Sequence, residues 1–153
     1  MIPIIIYLSF DATTTSKYLI FLLFVYCGIT DYLDGYLARK LKKTSMIGKL
    51  MDPIADKFLT TSVLLILINQ NILNNFLFIA ALVIILRELL ISGLREFLSS
   101  LGHDLPVTNF AKIKTTIQFL SLGFILFGSA SNSYLLLQIG FALLWLAVLF
   151  TIV

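Results

Sequence analysis

The last twenty residues, Tyr134 to Val153, carry no charged side chain. One such run is enough for a helix to cross a bilayer, since a span needs about 20 apolar residues. Four further apolar runs each meet charge at one end. Tyr18 to Ile29 runs into Asp31 and Asp34, and Phe58 to Ile68 follows Asp52 and Asp56. Phe76 to Leu86 runs into Arg87 and Glu88, and Ile117 to Phe127 follows Lys112 and Lys114. The chain is 59% hydrophobic and 12% charged, against about 45–50% and about 25% in a soluble domain. That excess excludes an ordinary water-soluble domain and excludes disorder. The 153 residues allow one domain, spanning 1–153, with five or six crossings.

The pattern predicts an all-α polytopic membrane protein, with helices near 17–40, 49–69, 75–99, 108–129 and 133–153 and a shorter one at 2–10. Pro3 and the few apolar residues around it make the first segment too short to span. Polar breaks separate the runs at Asp11 to Ser16, Asn69 to Asn75, Ser99 to Pro106 and Ser129 to Ser133, and Thr108 is placed to cap the helix that follows it. The net charge of +3, without a basic stripe beyond Lys40, Lys42 and Lys43, argues against a nucleic-acid partner. The lone Cys27 offers neither a disulfide framework nor a thiol metal site and is expected to pack in its helix. His103 belongs to no constellation, and Trp145 is expected to pack or to face lipid.

Charge sets the orientation. Lys40, Lys42, Lys43 and Lys49 crowd one loop and Lys112 and Lys114 follow another, whereas 69–75 and 129–133 carry none. The positive-inside rule puts the lysine-bearing loops in the cytoplasm. The charged ends of four helices then meet near the cytoplasmic leaflet, and the opposite half is almost purely apolar. The expected result is a multi-pass protein of the cell membrane with one polar cavity opening to the cytoplasm.

Four of the chain's aspartates lie between positions 31 and 56. Asp31 and Asp34 are spaced i, i+3 and Asp52 and Asp56 are spaced i, i+4, so each pair shares a helix face. The basic loop between them is short, which predicts antiparallel neighbours with the two pairs able to face each other. Asp31 stands roughly 13 Å from the end of its predicted helix at 1.5 Å per residue. A carboxylate at such depth costs about 2.5–3.5 kcal/mol, and four together repel. Divalent cations cancel that repulsion. Hard oxygen donors without His or Cys suit two Mg²⁺ or Mn²⁺ ions, the pair used for in-line phosphoryl displacement. The bland alternative pairs these acids with Arg39, Lys42 or Lys57 at the interface. For four acids at this spacing inside a membrane helix pair, function is the stronger reading. Gly35, Ala38 and Gly48 would let a flat base or a sugar approach the backbone, or would serve helix packing. Arg39 would hold a phosphate with its planar fork, or would snorkel.

These residues stand as D-x-x-D-G-x-x-A-R-x8-G-x3-D-x3-D, from Asp31 to Asp56. The arrangement resembles the signature of the CDP-alcohol phosphatidyltransferases. The resemblance implies a six-helix membrane enzyme, here with a shortened first helix, that acts as a homodimer and displaces CMP from a CDP-linked lipid with an alcohol. It implies that Asp31, Asp34, Asp52 and Asp56 bind the metal ions and that Asp56 is also the general base. It places Asp31, Asp34, Gly35, Ala38, Arg39 and Gly48 at the CDP moiety. A second stretch, Arg87-Glu88 through Arg95-Glu96 and then Ala111-Lys112-Ile113-Lys114-Thr115-Thr116-Ile117-Gln118, is similar to the branch that makes phosphatidylglycerol phosphate. Ala111 stands where that branch usually has glycine. Relatives also carry an N-x-x-T-x-x-R segment ahead of the first span, so a truncated N-terminus is expected.

The acceptor charge agrees with this. Arg87, Arg95, Lys112 and Lys114 supply four cations on the cytoplasmic side, and the phosphate of glycerol 3-phosphate needs such partners. Taken without the motif, the same four would snorkel and pair with Glu88 and Glu96. The expected activity is transfer of a phosphatidyl group from CDP-diacylglycerol to glycerol 3-phosphate. A sister enzyme with another alcohol acceptor and an inactive homologue are the nearest alternatives. A cation transporter would need carboxylates through the full bilayer depth, and here they are confined to one leaflet. Gly123 and Gly128 are candidates for helix contacts.

Overall fold

Six α-helices make up the described fold: α1 (Ile2–Ser9), α2 (Thr14–Leu41), α3 (Met46–Asn69), α4 (Phe76–Ser100), α5 (Asn109–Ser131) and α6 (Tyr134–Ile152). The computed structural model describes residues 1–11, 13–41, 46–101 and 109–152. Within these ranges the side chains at 32, 34–41, 46–56, 96, 99–100, 109–112 and 152 lie outside the description. Among the described residues there is no strand. Among the described residues, three helices are long and apolar enough to cross a membrane, over Phe76–Arg95, Ile113–Ser131 and Tyr134–Thr151. Lys57–Asn69 is a shorter apolar stretch. The chain is a membrane protein.

Every expected helix is present, and the differences lie at the ends. α2 begins at Thr14, inside the stretch read as a polar break. The reason is a cap: the Ser16 backbone N–H donates to Thr13 Oγ1 at 3.3 Å, satisfying one of the donors a helix start leaves open. α5 runs on to Ser131 because Asn132 takes a left-handed conformation at φ 52°. The Ser133 N–H then closes back on the Gly128 carbonyl at 3.0 Å, a bond that satisfies a terminal carbonyl. α3 ends the same way. Asn71 is left-handed at φ 56°, and the Ile72 N–H donates to the Leu67 carbonyl at 3.0 Å. Asparagine visits this region at lower cost than other residues with side chains. Thr108 and His103 lie outside the described residues.

α1, at 8 residues, spans about 12 Å and cannot cross a bilayer. Pro3 sits in its first turn, where a missing N–H costs nothing. Ile5 is buried against the bundle while Tyr7 and Phe10 stand exposed. α5 and α6 form a close antiparallel hairpin. Gly128 and Gly140 let the backbones approach, because a methyl at 140 would meet the Ile125 N–H and the Ser121 carbonyl. Ser121 Oγ donates across the gap to the Gly140 carbonyl at 2.8 Å. In lipid, where apolar burial between helices drives little, such close packing does most of the work. Gly128 therefore serves a contact within the chain, whereas Gly123 faces open space. Cys27 packs half-buried against the core and Trp145 is 40% exposed.

Candidate active site

Ring contacts fix the direction of α2 against α5. Tyr18 and Phe21 meet Phe127, at centroid distances of 6.3 and 5.1 Å, while Phe24 stacks on Phe119 at 4.3 Å. Gly28 leaves the space that the Phe119 ring occupies. Rising numbers on α2 meet falling numbers on α5, so the two helices are antiparallel. Asp31, just beyond Gly28, therefore stands toward the end where α5 begins.

The inward stripes of α3, α4 and α5 change character at that same end. On α3, buried Leu67, Leu64 and Val63 give way to Thr60 and Lys57. On α4, Ala81 and Ile84 give way to Glu88 and Ser92. On α5, Ile125 and Leu122 give way to Gln118 and Lys114. The polar groups join across the helices. Lys57 Nζ on α3 donates to Ser92 Oγ on α4, and Ser92 Oγ donates to the Glu88 carbonyl one turn earlier. Lys114 Nζ on α5 forms an ion pair with Glu88 Oε1. Lys114 is only 2% exposed, and a charge so buried requires such a partner. A small cavity between these helices is lined by Lys57, Thr60, Glu88, Thr115, Gln118 and Phe119.

The signature residues divide between described and undescribed positions. Asp34, Gly35, Ala38 and Arg39 lie on α2, and Gly48, Asp52 and Asp56 on α3. Their side chains lie outside the described residues, as do the side chain of Lys112 and residues Lys42 and Lys43. Both aspartate pairs fall within continuous helix, so each keeps the i, i+3 or i, i+4 register that puts it on one face. Asp31 is described and is exposed within the chain. Among the described residues no three His, Cys, Asp or Glu side chains come together. The donor set itself, four carboxylates on two helices without His or Cys, has the chemistry of a hard divalent-cation site. Of the cations expected to meet the acceptor, Arg87 is half-buried beside Glu88, Arg95 is exposed further along α4, and Lys114 is held by Glu88.

Sequence reasoning weighs Lys57 only as a partner for the aspartates and gives Ser92 and Gln118 no task. The available signal is spacing. Lys114 and Gln118 are four apart, as are Glu88 and Ser92, so each pair shares a face.

Known proteins match the same chain throughout. The family profile described as CDP-alcohol phosphatidyltransferase matches residues 1–153. The chain is 40% identical over 154 aligned residues to the CDP-diacylglycerol–glycerol-3-phosphate 3-phosphatidyltransferase of Rickettsia typhi, covering 100% of this chain and 85% of that protein. It is 36% identical to the enzyme of the same name from Haemophilus influenzae, covering 99% and 81%. Against the Bacillus subtilis enzyme of that name it is 35% identical, covering 86% and 67%. With the aspartate signature carried on two helices and the match running end to end, the chain belongs to the CDP-alcohol phosphatidyltransferase family.

Proposed function

We propose that this chain transfers a phosphatidyl group from CDP-diacylglycerol to glycerol 3-phosphate, giving phosphatidylglycerol phosphate and CMP. The observation that carries the reading is full-length similarity to enzymes of that name, at 40% and 36% identity. The polar end of the bundle supports it, because cations gather there around the level of the signature aspartates. The chain acts as one domain, as a homodimer, with the site open to the cytoplasm.

Asp31, Asp34, Asp52 and Asp56 would hold two Mg²⁺ or Mn²⁺ ions. When bound, these ions supply neutralisation for the pyrophosphate of the donor and for the departing CMP. Gly35, Ala38 and Gly48 leave room for the cytidine, and Arg39 pairs with a donor phosphate. Arg87, Arg95, Lys112 and Lys114 draw in the phosphate of glycerol 3-phosphate and hold it. Glu88 holds Lys114 in place until the acceptor arrives. Asp56 removes the proton from the acceptor's primary hydroxyl. That oxygen bonds to the lipid-side phosphorus, the bond from this phosphorus to the bridging oxygen breaks, and CMP leaves with the electron pair. Positioning and charge neutralisation supply most of the acceleration in such transfers.

The test is CMP release from CDP-diacylglycerol in detergent micelles. Release that needs both glycerol 3-phosphate and a divalent cation is the expected result. Release that proceeds with serine or inositol but not with glycerol 3-phosphate moves the chain to a sister activity. Release unaffected by a chelator removes the metal from the proposal.

A further inference from the structure

The A-K-I-K-T-T-I-Q stretch ends on Gln118, for which phosphate binding provides no role. Gln118 is 3% exposed, and its Oε1 has no hydrogen-bond partner among the described residues. Buried polar atoms in native proteins nearly always have a partner, so an orphan marks a water or a ligand atom. Gln118 lines the cavity between α3, α4 and α5, whose volume is about 20 Å³. That admits a single water-sized group. The charges around it are engaged, Glu88 with Lys114 and Lys57 with Ser92, so the open position is a neutral amide. A hydroxyl both donates and accepts, and satisfies either end of an amide. The cavity also lies close to the proposed chemistry. Thr60, on its wall, is four residues after Asp56 on the same helix, one turn deeper on the same face.

From these observations we infer that the cavity is a hydroxyl subsite. It takes the secondary hydroxyl of the acceptor, and Gln118 reads it, which makes Gln118 a specificity-determining residue for polyol phosphates over simple alkanol phosphates. This rests on the acceptor reading above. The attacking and secondary hydroxyls of glycerol 3-phosphate sit on neighbouring carbons. One reaches the base while the other enters the cavity.

The test compares two acceptors with the full chain in micelles containing CDP-diacylglycerol and Mg²⁺. Glycerol 3-phosphate carries the secondary hydroxyl, and 3-hydroxypropyl phosphate has the same phosphate and primary hydroxyl without it. A site built to bond a hydroxyl rejects the analogue lacking it by a large factor. The wild-type chain is expected to favour glycerol 3-phosphate by about 100-fold or more in kcat/KM. Gln118→Met, of similar length and without the amide, is expected to cut that preference at least tenfold, chiefly by slowing glycerol 3-phosphate. An unchanged preference in Gln118→Met, whether both rates fall together or neither does, overturns the proposal and leaves the cavity to a structural water. A wild-type chain with no preference overturns it without any variant. CMP release with neither acceptor is a separate outcome, in which the phosphatidyl-transfer reading itself fails.

Discussion

The two ends of this bundle are built on opposite terms. At one end α5 and α6 close on each other through Gly128 and Gly140, with Ser121 bonded to a backbone carbonyl. Asparagines at 71 and 132 turn the chain there without charge. At the other end, Lys57, Ser92, Glu88 and Lys114 tie three helices together through charged and hydroxyl groups. The first end holds shape by close packing. The second spends stability to keep charge in the membrane, since desolvating ions costs several kcal/mol each even when they are paired. An expensive feature of this kind is retained where chemistry needs it. The contrast supports the proposal that function lies at the polar end, on grounds separate from Asp34, Asp52 and Asp56, whose side chains lie outside the described residues.

That contrast can be broken in order of effect. Asp56→Asn should lower metal-dependent CMP release by about 10²–10⁴-fold, the range of general-base contributions, with the protein still folded by circular dichroism. Normal turnover in this variant removes Asp56 as the base. Glu88→Ala leaves Lys114 buried without its partner, and should cost about 3–5 kcal/mol of stability. Thermal unfolding in micelles reads this directly, and an unshifted midpoint would mean the pair is not buried in the working protein. Arg95→Ala should weaken acceptor binding by about 1.5–3 kcal/mol, as for a hydrogen bond to a charged group. That is a rise of roughly tenfold or more in the KM for glycerol 3-phosphate, with little change for CDP-diacylglycerol. An unaltered KM removes Arg95 from the acceptor site. Ser121→Ala, toward the packed end, should cost only about 0.6 kcal/mol, the average for a hydrogen bond between membrane helices, and should leave turnover unchanged. A loss of activity there would erase the division between the two ends.

Much of the architecture is legible in the amino-acid sequence. Runs of apolar residues bounded by charge or by polar breaks locate all six helices, and the differences at their ends come from local chemistry. Thr13 caps α2 within a stretch that reads as a break, and Asn132 carries α5 two residues past its expected end. The cations proposed for the acceptor are legible as a group, because arginine and lysine clustered at the helix ends stand out against an apolar background. Their individual states are not. Sequence leaves Lys114 either as a phosphate ligand or as a partner for an acid, and the fold places it on Glu88. Gln118 is visible only as the last letter of a motif.

By itself the sequence determined that this chain lives in a membrane, which ends of its helices carry charge, and which aspartates share a face. Those properties follow from hydropathy and from the 3.6-residue turn, which act along one segment at a time. The tertiary structure decided the pairing of Lys114 with Glu88, the bridge from Lys57 to Ser92, and the cavity that leaves the Gln118 amide without a partner. Each depends on the distance and direction between side chains of different helices. Burial and partnership are properties of those relations, and no single segment contains them.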